Sequence, residues 1–327
     1  MAAKVATTKI MSLPFPIPKV ALGCAALGSM DNVFGYGVSE ADAITTVRHA
    51  LASGINMLDT APFYANGRSE TRVGLALRGV PREQFILSTK VGWLPDVDKI
   101  GMQGAGRRSY TRDDVLRSID ASLKRLGIDH IDIAHVHDPE NGDYRKTIAD
   151  EAYPTLVELK RQGVIRAIGA GLNQTAYLAD YVEHMPLDCA ILAGRYTLLE
   201  QAPAREAFPA VQRKSIAIFA AGVFNGGILA IGAVSGVRYQ YTVAPEPILR
   251  LTRMIEAVCA RHDVSMRAAA AQFAAAHPAV TTLILGMESP SEIDENLANL
   301  HASIPAAFWV ELKARGLLDA DVPTPQP

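Results

Sequence analysis

Short apolar runs alternate along the chain with longer stretches in which apolar residues recur every three or four positions. The runs Val20–Leu22, Asn56–Leu58, Phe85–Thr89, Ile131–His137, Ile165–Gly169, Cys189–Ala193, Ile216–Ala220 and Thr282–Leu285 are predicted strands. They lack strict alternation and so read as strands covered on both faces, as in parallel sheets. Between them Glu40–Ser53, Glu70–Leu77, Arg112–Leu126, Tyr153–Arg161, Ala176–Glu183, Ala204–Gln212, Ser265–Ala276 and Glu292–Leu300 are predicted helices. Ser39 and Ser69 stand where N-caps belong, and Gly54, Gly127 and Gly163 stand where helices end. Eight such alternations predict a (β/α)8 TIM barrel. A doubly wound sheet fits the alternation too, but no G-x-G-x-x-G follows the first strand before a helix.

An extra helix, Pro247–His262, is predicted before the seventh barrel helix, and a C-terminal helix at Pro305–Arg315. The proline-rich tail Val322–Pro327 is expected to be disordered. No linker divides the chain, so residues 1–327 read as a single barrel domain. At about 150 residues per domain two are expected, yet α/β barrels often reach about 250 residues as one. Ile216–Val237 is almost wholly apolar and has to be weighed as a membrane span. Its five glycines, Asn225 and the lack of a one-sided basic flank favour a buried strand running into a glycine-rich loop.

Composition narrows the function classes. With 49% hydrophobic residues and a net charge of −2, the chain is not a disordered one. The balance of 32 basic and 34 acidic residues gives no reason to expect nucleic acid or an anionic membrane, so the expected partner is a small molecule. The basic pair Arg107-Arg108 reads as a solvated loop. Cys24, Cys189 and Cys259 lie far apart with no C-x-x-C pair, which favours a reducing cytoplasm over a disulfide framework. Met1–Met11 carries no apolar h-region of the kind a signal peptide needs.

In a barrel the active site lies at the C-terminal strand ends. Here strand two ends in Leu58-Asp59-Thr60-Ala61 with Tyr64 just beyond. Strand three ends in Ser88-Thr89-Lys90, and strand four in His135-Val136-His137-Asp138-Pro139. A carboxylate, a phenol, an ammonium and an imidazole thus come from three neighbouring strand ends. A free tyrosine titrates near 10, too high for efficient proton transfer at neutral pH. A lysine beside it favours the phenolate and lowers that value by ~1–3 units. Asp59 would keep Lys90 charged and oriented, and His137 would fix the oxygen of a carbonyl or alcohol. This is equipment for moving a proton at an oxygen whose carbon exchanges a hydride.

The run Asp59-Thr60-Ala61-Pro62-Phe63-Tyr64-Ala65-Asn66-Gly67-Arg68-Ser69-Glu70 resembles the D-T-A-x-x-Y-G-x-G-x-S-E signature of the aldo-keto reductases. The likeness continues through Ser88-Thr89-Lys90 and Ile131-Asp132-Ile133 to His137, and again over Gly286–Asn296. It implies a (β/α)8 barrel, a nicotinamide cofactor and a catalytic tetrad of Asp59, Tyr64, Lys90 and His137. Tyr64 and His137 would also face the substrate. Candidate cofactor contacts are Gly23 and Cys24, Asp59, Asn173, then Phe224, Asn225 and Gly226 in the glycine-rich loop. Gly286, Glu288, Glu292, Glu295 and Asn296 complete them. The other reading of Cys24 is a small buried residue. Trp93 is either a wall of the substrate pocket or a packing residue.

Departures from the family pattern bear on cofactor and substrate. The Ser-Asn usual after strand five is replaced by Gly169-Ala170-Gly171-Leu172-Asn173, which displaces the asparagine. The usual strand-six glutamine falls on Ala193, and the tyrosine that stacks on nicotinamide falls on Ala221. Where NADP-binding members carry cations for the 2′-phosphate, Gly286 and Glu292 stand, with Glu288 nearby. This implies NAD rather than NADP, since a phosphate would meet like charge. Leu192–Glu200 and the altered strand-five end resemble the branch of aldose 1-dehydrogenases and pyridoxal 4-dehydrogenases, which oxidise a cyclic hemiacetal to a lactone. An aldose of the L-fucose or D-arabinose type is the substrate so implied, with pyridoxal as the alternative.

Two rival functions remain in view. His135 and His137 share one strand face and are two ligands toward a hydrolytic metal site. Strands five, six and eight offer no further histidine, so His135 is expected to be a hydrogen-bonded interior residue one layer below His137. A cofactor-binding barrel acting as sensor or subunit is the second rival, and the complete tetrad speaks against it.

Overall fold

The computed structural model describes residues 5–29, 37–100, 102, 104–240 and 242–326. Eight parallel strands close into a barrel in chain order: β1 (Val20–Gly23), β2 (Met57–Asp59), β3 (Ile86–Val91), β4 (Ile131–His137), β5 (Ile165–Leu172), β6 (Cys189–Ala193), β7 (Ala217–Ala221) and β8 (Val280–Gly286). Pairing of β8 with β1 completes the ring. Each strand lies within a few residues of its predicted place, and the (β/α)8 architecture is the one predicted.

Alternation within the strands separates two cores. Met57, Ile86, Ile133, Ala167, Ile191, Phe219 and Ile284 fill the barrel, while Leu58, Leu87, Ala134 and Val136 face the helices. Because successive side chains alternate, Asp59, Ser88, Lys90, His135 and His137 share the inward face with those fillers. Sequence period alone therefore puts the polar residues of three strands into one space. A hairpin of Thr7–Thr8 and Ile17–Pro18 closes the opposite end, with Leu13, Phe15 and Ile17 buried against the fillers.

The surrounding helices are α1 (Glu40–Ala52), α2 (Arg68–Leu77), α3 (Arg112–Leu126), α4 (Tyr153–Arg161), α5 (Thr175–His184), α6 (Pro203–Glu206), α7 (Phe208–Arg213), α8 (Glu246–His262), α9 (Met266–Ala276), α10 (Pro290–His301) and α11 (Ala306–Ala314). Ser39 caps α1 as expected, its Oγ accepting from Asp42 N at 3.1 Å. Ser69 does not cap α2. That helix begins earlier, after Gly67 at φ +91°, and Ser69 Oγ donates to the Cys24 carbonyl instead. The predicted helix Ala204–Gln212 is broken at Ala207. Pro209 has no N–H to give and its ring would meet the carbonyl four residues back.

Further departures follow from contacts the local pattern does not carry. Arg107 and Arg108 are not a solvated loop: they pair antiparallel with Trp93 and Leu94 over the barrel mouth. Arg107 bonds Asp114, and Arg108 is largely covered. The proline-rich tail, expected to be disordered, starts from a packed residue. Val322 is buried, and Lys313 Nζ donates to its carbonyl at 2.7 Å; Pro327 lies outside the described residues. Among the described residues no helix is long and apolar enough to cross a membrane.

Candidate active site

The strand registers set Asp59 beside Ser88, Lys90 beside His135, and His137 beside Gly171. Lys90 Nζ donates to Asp59 Oδ2 at 2.8 Å and to the Thr60 carbonyl at 2.7 Å, while Ser88 Oγ donates to Asp59 Oδ1 at 2.7 Å. Burial alone would lower the Lys90 ammonium. The Asp59 carboxylate and the Tyr64 oxygen, which hydrogen-bonds it, outweigh burial and hold it above its ordinary value. Lys90 Nζ also stands 4.7 Å from the Tyr64 ring centre, and the Tyr64 and His137 rings meet edge-on at 5.7 Å. Burial pushes His137 down to about 4, so at neutral pH its ring is uncharged. The four tetrad residues form one cluster.

A strained turn carries Tyr64 to that cluster. Ala65 and Asn66 sit at φ +48° and +52°, a conformation that costs an ordinary residue about 1–2 kcal/mol. Side chains on both flanks hold it. Thr60 Oγ1 and Ser69 Oγ lie 2.9 Å apart, and Thr89 Oγ1 and Arg125 Nε both donate to the buried Glu70 carboxylate. Asn66 Nδ2 donates to the carbonyls of Asp96 and Lys99, and its Oδ1 accepts from Asp96 N. In the signature run, then, Asp59 and Tyr64 join the cluster while Thr60, Asn66, Ser69 and Glu70 build their support.

The rest of the rim is bare. Gly23, Gly171, Ala193, Ala221 and Gly286 occupy the inward positions at the ends of β1, β5, β6, β7 and β8. A Cβ at Gly286 would meet nothing within 4 Å, and one at Gly171 would reach only van der Waals contact with His137 and Lys90. A flat ring such as nicotinamide fits this crescent beside the cluster. Farther out, Glu288, Glu292, Asp42 and Thr45 line a cleft of about 280 Å³. On α10 the buried Asn296 donates through Nδ2 to the Glu292 carbonyl, while its Oδ1 has no partner. That oxygen suits an amino group such as adenine carries. In the loop after β7, Asn225 Nδ2 donates to the Gly194 carbonyl and its buried Oδ1 likewise lacks a partner. Phe224 and Gly226 flank it, and a bridge from Gly227 to Arg238 brings a cationic residue beside this turn. These acceptors, the bare crescent and the acidic cleft together fit a dinucleotide.

Three expected contacts are placed differently. Cys24 is fully buried in the core with its Sγ near the Leu22 carbonyl, so it is the small buried residue rather than a cofactor contact. Glu295 is turned outward, 61% exposed, in an ion pair with Arg267 at 2.9 Å. Asn173 faces strand four, its Nδ2 donating to Asp138 Oδ1 at 2.8 Å and its N–H to Glu140. His135 lies buried below His137, but neither ring nitrogen has the hydrogen bond expected of it. Trp93 packs edge-on against Phe63 at 4.8 Å, and Phe63 in turn faces His137 at 5.7 Å. Phe63, Arg108 and Asp138, none of them a site candidate in the sequence, also stand at this mouth. The signal for Asp138 was its place directly after His137; Arg108 gave none, since a hairpin closes it onto the site. Size does not locate the site: a cleft of about 1070 Å³ lies elsewhere, between α2 and α3.

The model of the Aldo/keto reductase family matches residues 19–315. A pyridoxal 4-dehydrogenase of Microbacterium luteolum is 35% identical across 92% of this chain and 95% of its own length. A D-threo-aldose 1-dehydrogenase of a Pseudomonas species is 36% identical across 94% and 96%. Among solved structures, an aldo-keto reductase from Bacillus halodurans in its holo form superposes with a TM-score of 0.79 at 24% identity, covering 97% of this chain and 98% of that one. This chain belongs to the aldo/keto reductase family, whose work is oxidoreduction at a CH–OH carbon with a nicotinamide cofactor.

Proposed function

We propose that this protein is an NAD-dependent dehydrogenase that oxidises the cyclic hemiacetal of an aldose, of the L-fucose or D-arabinose type, to its lactone. The observation that carries the reading is the buried Asp59–Lys90 pair hydrogen-bonded to Tyr64 beside an uncharged His137. The pairing that keeps Lys90 protonated favours the phenolate on Tyr64, which makes it a base toward the anomeric hydroxyl. His137 positions that oxygen, and Asp59 keeps Lys90 charged and in place. A nicotinamide bound on the Gly/Ala crescent supplies the hydride acceptor. Glu292 and Glu288 favour ribose hydroxyls over a 2′-phosphate, which supports NAD. Three buried free thiols suit a reducing cytoplasm.

Pyridoxal oxidation to 4-pyridoxolactone is the second reading, favoured by the equally similar pyridoxal relative. The test is incubation of the protein with NAD or NADP and each candidate, following reduced-nicotinamide absorbance and identifying the product. An aldose lactone supports the first reading and 4-pyridoxolactone the second. Oxidation of open-chain alcohols alone overturns both.

A further inference from the structure

We propose that Asp138 and Arg108 form a hydroxyl-reading pair that recognises the alcohol on the carbon next to the reacting one. The inference rests on the aldose reading and deepens it.

Asp138 directly follows His137 at the end of β4 and adopts φ +44°, a left-handed conformation unusual for a residue with a side chain. Its N–H donates to the Gly171 carbonyl at 2.9 Å, and its own carbonyl accepts from Arg108 Nη1 at 2.7 Å. Such strain persists where surrounding structure over-determines it, commonly at sites of function. Here it sets Asp138 Oδ1 3.7 Å from His137 Nε2. A carboxylate offers about four acceptor directions. Asn173 Nδ2 takes one at 2.8 Å, and Arg108 Nη2 stands 4.0 Å from Oδ2, in ion-pair range but too far for a hydrogen bond. Both side chains of the pair are only 19% exposed.

A hydroxyl is donor and acceptor at once, so it can give to Asp138 and accept from Arg108 across that separation. Its position relative to His137 selects the substrate. Asp138 Oδ1 lies 3.7 Å from His137 Nε2, so an oxygen held by His137 and a hydroxyl on the next carbon can be bound side by side. A cyclic aldose carries its C2 hydroxyl there. The hemiacetal carbon of pyridoxal is attached instead to an aromatic carbon that bears no hydroxyl. The hairpin that delivers Arg108 also delivers Trp93, whose ring with Phe63 walls the same mouth. The pair thus favours sugars over pyridoxal.

The experiment measures kcat/KM on the full-length protein, with whichever nicotinamide cofactor supports turnover, for an active aldose and for the 2-deoxy form of that sugar. A hydrogen bond from a charged group distinguishes the two by at least about 10²-fold. Asp138→Asn and Asp138→Gly, both tolerant of positive φ, are expected to bring the ratio to about tenfold or less. Arg108→Met should lower it in the same direction. A residue that only supported the loop would slow both sugars alike and leave the ratio unchanged. A wild-type ratio near one, or a ratio unmoved by all three substitutions, overturns the hydroxyl-reading role while leaving aldose oxidation standing. Turnover of pyridoxal and of no aldose overturns the aldose reading itself, and this inference with it.

Discussion

Lys90 Nζ lies 2.8 Å from Asp59 Oδ2, and both side chains are about 95% buried on neighbouring strands. The pair is a charge set inside a barrel, where either partner alone is costly. Asp59→Asn keeps the shape and removes the counter-charge, leaving burial to lower the Lys90 pKa. The variant should lose about 10²-fold or more in kcat/KM, and its pH–rate profile should gain an alkaline limb well below that of wild type. Stability follows the same logic. Because the folded Lys90 pKa is raised, its contribution is full below the unfolded value of about 10.4 and fades only above it. An unchanged pH–rate profile would mean that Asp59 does not hold the charge on Lys90.

Tyr64→Phe deletes the phenolic oxygen and little else. Removing a general acid–base usually costs about 10²–10⁴-fold in turnover. Cofactor affinity, measured by fluorescence titration, should stay within a few-fold because the crescent of Gly and Ala residues is untouched. Wild-type kcat in this variant would sink the proton-transfer scheme.

Glu292 does two things at the start of α10. Its N–H donates to Ser289 Oγ at 3.3 Å, and its Oε2 accepts from Glu288 N at 2.9 Å, so it caps the helix as well as lining the cleft. Glu292→Arg should therefore shift the NADP/NAD affinity ratio at least about tenfold toward NADP and cost about 0.5–2 kcal/mol of stability. Tighter native binding of NADP than NAD in a direct titration would refute the cofactor assignment.

How much of this was legible in the sequence depends on the range of the interaction. Strand period two placed Asp59, Lys90 and His137 on one inward face, and that information is local. The break at Ala207 was also local, carried by Pro209, and was passed over because the flanking residues favour a helix. Arg108 and Val322 are different cases. The first is closed onto Asp138 by a hairpin and the second is pinned by Lys313, and both contacts join segments whose own composition reads as loop or tail. Cys24, open to two readings in the sequence, follows the same alternation: Ala21 faces the barrel interior, while Leu22 and Cys24 join the core under the helices. A Cβ at Gly169 would lie 2.2 Å from His135 Nδ1, so this glycine makes room for an imidazole.

That imidazole supplies the last prediction. His135 is fully buried with neither ring nitrogen hydrogen-bonded, and burial pushes it down to about 3. In the unfolded chain it titrates near 6.5. The folded value is depressed, so the unfolded state binds the extra proton, and stability is present above about pH 6.5 and lost as pH falls. At pH 5 the difference is about 1.5 pH units, or about 2 kcal/mol at 1.36 kcal/mol per unit. His135→Leu removes both the titration and the unpartnered polar atoms. It should be close to neutral for Tm at pH 7 and should raise Tm relative to wild type at pH 5. His137, held near 4, and His277, also near 4, remain in both proteins, so each still loses stability in acid and only the difference between the curves reports on His135. Parallel Tm–pH curves for the two proteins would mean that the buried ring is not held neutral and that the barrel interior carries a charge at that residue.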